Sequence, residues 1–195
     1  MSHQKPFIKL KKHWSSSFIP EDVRNFDEII NRFPKMLRTI TKKSNIIDIY
    51  PVFGKSGIGK KNSIKLLKSK FPKVFNEEDF QGIYLFWHEN EPFYTGISRG
   101  VVKRIHQHIK GKNHFSSSLS YLMGKQYHHE LLGIKHKGTR REMDFDKYSS
   151  PFKKLLKEEC QVSMLKIKSP VELYLFEVYL AVELKLSLYN QFKTH

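Results

Sequence analysis

Two short runs, Gly82-Ile83-Tyr84-Leu85-Phe86-Trp87 and Pro92-Phe93-Tyr94-Thr95-Gly96-Ile97, are dense in β-branched and aromatic residues and stand either side of a polar stretch around Asn90. That arrangement predicts a β-hairpin. Pairing centred on Asn90 sets Tyr84 opposite Gly96 and Phe86 opposite Tyr94, and a side-chain period of two then puts both tyrosines on one face. Ser98-Arg99-Gly100 turns the chain into a predicted helix over 101–109, with Val102, Ile105 and Ile109 as its inward stripe. Arg104 and His108, four apart, share a neighbouring stripe.

The same reading extends along the chain. Pro20-Glu21-Asp22 opens a helix in which Val23, Phe26, Ile30 and Phe33 recur until Pro34, where it is expected to stop, with a further short turn over 36–40. Residues 45–50 are a short apolar run, either a strand or a buried link. Asn62-Ser63 caps a helix over 64–71, ended by Phe71-Pro72. Leu119, Leu122 and Met123 predict a helix within 114–132, and 152–159 predicts another. Residues 133–152 show no period and read as an irregular insertion. Gln161 to Ile167 alternates as a third strand, and Pro170 starts the last helix.

The expected fold is therefore α/β in the α+β sense, with a small central three-stranded, mainly antiparallel sheet flanked by helices. A mainly helical basic N-terminal region, residues 1–78, precedes a domain over 79–195, the cut falling in the acidic Asn76-Glu77-Glu78-Asp79. With 195 residues and a net charge of +16, spread over both parts, the chain calls for a polyanionic partner, nucleic acid ahead of a membrane surface. Lys5, Lys9, Lys11, Lys12 and His13 make a basic arm. The single cysteine, Cys160, rules out an intrachain disulfide and a cysteine-based zinc finger, and suits a cytoplasmic setting. No apolar run approaches the ~20 residues of a membrane span, and the first ten residues lack a signal-peptide pattern.

Two stretches invite chemistry. Gly54-Lys55-Ser56-Gly57-Ile58-Gly59-Lys60 has most of a phosphate-binding P-loop, but Lys61 follows where a Ser or Thr hydroxyl would hold magnesium. A nucleotide hydrolase is thereby disfavoured, and Lys60 and Lys61 are read instead as contacts to a nucleic-acid backbone or as plain loop residues. On the last helix, a wheel sets Glu172 and Glu183 within about 20° of one another, as on a solvated face. Glu177 falls between Leu173, Leu180 and Leu184. A carboxylate so placed is costly unless it meets a cation, a hydrogen-bond donor or a metal.

Gly82-Ile83-Tyr84, Tyr94-Thr95-Gly96, Arg104 ten residues beyond Tyr94, His108 four further, Glu177 on a later helix and Asn190 thirteen after it follow one another in a characteristic order. In this the chain resembles the GIY-YIG nucleases. The resemblance implies an endonuclease that hydrolyses phosphodiester bonds in DNA, double-stranded DNA before RNA, as a monomer or homodimer. It implies one Mg2+ or Mn2+ held by Glu177, Arg104 on the scissile phosphate, and Tyr84 or Tyr94 assisting the water, with Tyr84 preferred. A tyrosine pKa near 10 requires lowering by the metal or Arg104 for that role. His108 would exchange a proton or touch phosphate, Lys103 would bind phosphate, and Asn190 would brace the site. The rival is a nucleic-acid-binding protein on a degenerate nuclease scaffold.

Overall fold

A computed structural model describes residues 25–71, 78–135, 137–186 and 189–190. The basic arm, the predicted helix start at Pro20, Pro72, Asn76, Glu77 and His195 lie outside the described residues. Helices α1 (Phe26–Ile40), α2 (Lys60–Lys70), α3 (Val101–Lys110), α4 (Ser118–Glu130), α5 (Phe145–Tyr148), α6 (Ser150–Glu158) and α7 (Pro170–Glu183) surround strands β1 (Ile47–Asp48), β2 (Gly82–His88), β3 (Glu91–Ser98) and β4 (Gln161–Lys166). The sheet has four strands in the order β1-β4-β2-β3, and every pairing is antiparallel. Three strands were expected; the fourth is the short run at 47–48, which pairs with Val162 and Gln161. Among the described residues no helix is long and apolar enough to cross a membrane.

β2 lies between β4 and β3 and is covered on both faces, which explains its unbroken run of apolar residues. Tyr84 and Phe86 point into one core with Phe53, Leu67, Val102, Ile105, Leu119 and Leu156. Ile83, Leu85 and Trp87 point into a second core with Ile29, Phe33, Phe176 and Leu180 from α1 and α7. The hairpin register is the expected one, Tyr84 opposite Gly96 and Phe86 opposite Tyr94. Glu89 and Asn90 at the turn both have positive φ, 51° and 66°, as a two-residue hairpin matched to strand twist requires. A bulge between Phe86 and Trp87 then shifts the pairing so that Trp87 meets Pro92.

Four local expectations need correction. α1 starts behind an Asn25 cap, whose Oδ1 accepts the Glu28 N–H at 2.9 Å, and it continues through Pro34 to Ile40. The stripe Ile29, Phe33 and Ile40 is buried on the sheet and α7, so packing outweighs the hydrogen bond that the proline removes. α2 begins at Lys60 after Gly59, and Ser63 is no cap. Its buried hydroxyl donates to the Val52 carbonyl at 2.7 Å and lies 2.9 Å from His106 Nε2. The 133–152 stretch is only partly irregular: Asp144 caps α5, and Met143 and Tyr148 are buried against Tyr121. Glu172, read as solvated, is 4% exposed and pairs with Arg32 of α1 at 3.2 Å. The wheel could not see α1 cross that side of α7.

Candidate active site

The two motif glycines have steric reasons to be glycine. A Cβ on Gly96 would stand 2.4 Å from the Tyr84 hydroxyl, because the ring of Tyr84 lies across its cross-strand partner. A Cβ on Gly82 would stand 2.2 Å from the Leu165 carbonyl of the neighbouring strand. Gly96 therefore makes room for the hydroxyl end of Tyr84, and Gly82 for the close approach of β4.

α3 is fixed by a residue outside it. Gly100 offers no capping side chain, and Asp79 substitutes from across the turn. Its Oδ1 accepts the Val102 N–H and its Oδ2 the Lys103 N–H, each at 2.9 Å, while the Phe80 carbonyl takes the Val101 N–H at 3.0 Å. The carboxylate also meets Lys60 at 3.7 Å. The first turn of the helix that carries Arg104 and His108 is thus saturated.

Tyr84 and Tyr94 share a face, with ring centroids 6.2 Å apart. Tyr84 is 1% exposed, and its hydroxyl lies 2.8 Å from His108 Nε2. Tyr94 keeps part of its surface. Arg104 donates through Nη1 to the Gln107 side chain and to the Ser116 carbonyl, both at 3.2 Å, and through Nη2 to the Ser118 hydroxyl at 2.5 Å. Its positive charge favours the phenolate at both tyrosines, yet burial outweighs it: Tyr84 is raised well above 10, with Tyr94 adding to the rise, and Tyr94 is raised too. Among the described residues, the net lowering that a tyrosine base requires is therefore absent.

His108 is wholly buried, so contact with phosphate is excluded and its link to the site is the Tyr84 hydroxyl. Burial, helped by the charge on Arg104, holds it well below 6.5 and hence neutral near pH 7. Its Nδ1 has no hydrogen-bond partner among the described residues.

Glu177 is half-buried on α7, and its charge acts on Tyr94. Burial raises its carboxyl to about 7, and no hydrogen bond or ion pair to it is present among the described residues. A bound cation would relieve that burial penalty, so the carboxylate fits a metal ligand. No group of three or more His, Cys, Asp or Glu that could hold a metal ion is present among the described residues. Asn190 holds the open edge of β3 beside Tyr94: its Oδ1 accepts the Thr95 N–H at 3.0 Å and its Nδ2 donates to the Thr95 carbonyl at 2.7 Å.

Tyr84, Tyr94, Arg104 and His108 thus lie together, with Glu177 acting on Tyr94 and Asn190 bonded to the neighbouring Thr95. A comparison with protein families matches residues 80–154 to the GIY-YIG catalytic domain. Over that stretch the chain is similar to a GIY-YIG nuclease domain. That match includes both tyrosines, Arg104 and His108 but ends before Glu177 and Asn190. No curated protein and no solved structure matches the chain.

Lys103 is exposed on α3, with its backbone N–H held by Asp79. Lys60 is drawn to Asp79, away from the role of a free phosphate ligand, whereas Lys61 stays exposed and lines a shallow groove with Ile64, Lys65 and Lys68. Sequence reasoning missed Asp79, Gln107, Ser116 and Ser118. The signal for the serines was present in the run Ser116 to Ser118, a dozen residues past Arg104; Asp79 was read only as part of an acidic boundary.

Proposed function

We propose that the chain is a metal-dependent endonuclease that hydrolyses phosphodiester bonds in DNA. The observation that carries this reading is Glu177, a half-buried carboxylate with no ion pair among the described residues, whose charge acts on Tyr94 as that of Arg104 does. Glu177 would hold the ion, Mg2+ or Mn2+. When bound, such an ion supplies positive charge to the phosphate and lowers the pKa of water. Arg104, oriented by Gln107, Ser116 and Ser118, presents a fixed guanidinium to the scissile phosphate and answers the charge that grows on its oxygens.

The tyrosines orient the attacking water. Neutral His108 shares a hydrogen bond with the Tyr84 hydroxyl through Nε2, which fixes the phenol for contact with a water or with Tyr94. Tyr94, less buried and nearer Glu177 in the electrostatic sense, is the phenol that the substrate meets first. Asn190 keeps β3 in place while this happens, and Lys103 and Lys61 add charge along the backbone of the DNA. The basic residues of 1–78 would extend that grip.

Incubation of supercoiled plasmid with Mg2+, with Mn2+ and with chelator tests the proposal. The expected result is nicking that needs the ion and disappears in Glu177→Ala. Retention of DNA in a gel shift with no cleavage under any condition would contradict it and support a binding protein on a nuclease scaffold.

A further inference from the structure

The loop between α3 and α4 displays an aromatic ring among cations. Phe115 is 54% exposed, in a loop that is held by side chains. Asn113 Oδ1 accepts the N–H groups of Phe115 at 3.1 Å and Ser116 at 2.9 Å, and the Ser116 hydroxyl donates to the Asn113 carbonyl at 3.0 Å. Arg140 and Arg141, from the segment between α4 and α5, bring their guanidinium carbons to 4.9 and 5.9 Å from the centre of the Phe115 ring. Arg140 is itself backed by Tyr121 at 4.4 Å and donates to the His114 carbonyl. Its Nε is buried and has no hydrogen-bond partner among the described residues.

This ledge adjoins the catalytic arginine. Ser116, the next residue after Phe115, supplies the carbonyl that holds Arg104, and Ser118 supplies the hydroxyl. The charges on Arg140 and Arg104 oppose one another. Two guanidinium groups in mutual repulsion beside an exposed, fixed ring favour a ligand that is anionic and also offers a flat apolar face. A nucleotide has both.

We propose that Phe115, with Arg140 and Arg141, is a stacking platform for an unpaired DNA base next to the phosphate held at Arg104, so that the preferred substrate is single-stranded or carries an unpaired base at the point of cleavage. The proposal rests on the nuclease reading. Within a continuous duplex both faces of each base are covered by neighbours, so a fixed exposed ring gains contact only from a base that has left the stack. The arginines then meet the flanking phosphates.

The test is a fluorescence titration in chelator, with oligonucleotides carrying one 2-aminopurine, either unpaired or within a perfect duplex. The wild type is expected to bind the unpaired form about tenfold more tightly and to quench it, as stacking on an aromatic ring does. Phe115→Ala should lose roughly that tenfold and the quench, while Phe115→Trp keeps both. Thermal unfolding of each variant should match the wild type, since the ring is exposed. Equal affinity and quench in Phe115→Ala, with a wild type that still cuts DNA, would overturn the platform and leave the nuclease standing. A wild type that binds neither oligonucleotide would overturn both.

Discussion

At the scale of single residues the site depends on groups held away from their ordinary ionisation. Glu177, raised to about 7 by burial, is largely protonated at pH 6 and ionised at pH 8. Cleavage should therefore rise with pH through about 7, and more metal should be needed on the acid side, which a rate profile at fixed ion concentration checks. The same shift acts on stability with the opposite sign to a salt-bridged acid. A folded-state value above the unfolded one means that the unfolded chain ionises first as pH rises from 4.5. The fold therefore loses stability between about 4.5 and 7. Without added metal, Glu177→Gln should be more stable than the wild type at pH 8 by about 1–2 kcal/mol, a figure reduced for the solvent that reaches the carboxylate, and equal to it near pH 4. Chemical denaturation at the two pH values reads this directly. Gly96→Ala tests the steric account of the motif. Its methyl would meet the Tyr84 hydroxyl, and the ring would have to leave His108. A loss of at least tenfold in cleavage is expected, with destabilisation of about 1–3 kcal/mol by thermal or urea unfolding.

At the scale of elements, helices and strands are joined by side chains from elsewhere in the chain. Asp79 takes two N–H groups of α3, and Asp79→Ala should cost about 1–2 kcal/mol and slow cleavage through misplacement of Arg104, seen as a fall in kcat with the DNA affinity kept. Asn190 holds both backbone polar groups of Thr95 on the edge of β3. These contacts also mark what the sequence could disclose. The hairpin register followed from alternation and one turn, both local, so Tyr84 and Tyr94 could be set on one face from the residues alone. Glu177 stood out because a helix wheel separates an apolar stripe from a polar one. The same wheel failed at Glu172, since burial there comes from α1 and the partner is Arg32, 140 positions earlier. The run of α1 through Pro34, and β1 from two residues beside β4, likewise depend on distant packing that overrides local propensity. By the resemblance, His108 would exchange a proton or touch phosphate. It is a buried support for Tyr84 because the inward stripe of α3 is wide enough to include it.

At the scale of the whole molecule, the sheet separates two cores and brings Tyr94, on the α3 side, within reach of Glu177 from α7 at the edge strand β3. Residues before 79 take part in this frame: β1 extends the sheet and α1 covers it. Net charge is the other property of the whole. With +16 on 195 residues, DNA affinity should fall steeply with salt, and a plot of log affinity against log salt should have a slope set by the number of phosphates neutralised, roughly −0.9 for each. Lys61→Ala should lower that slope by about one without altering the cleavage rate at saturation. The central claim, however, is that five side chains form one catalytic unit. Single-turnover cleavage of labelled DNA by the wild type, Arg104→Ala, Tyr84→Phe and Glu177→Gln, all with Mg2+ and all shown to be folded, tests it most directly. The account predicts that each variant loses on the order of a hundredfold or more while DNA binding is largely kept. Cleavage at the wild-type rate by Glu177→Gln or Arg104→Ala would contradict it.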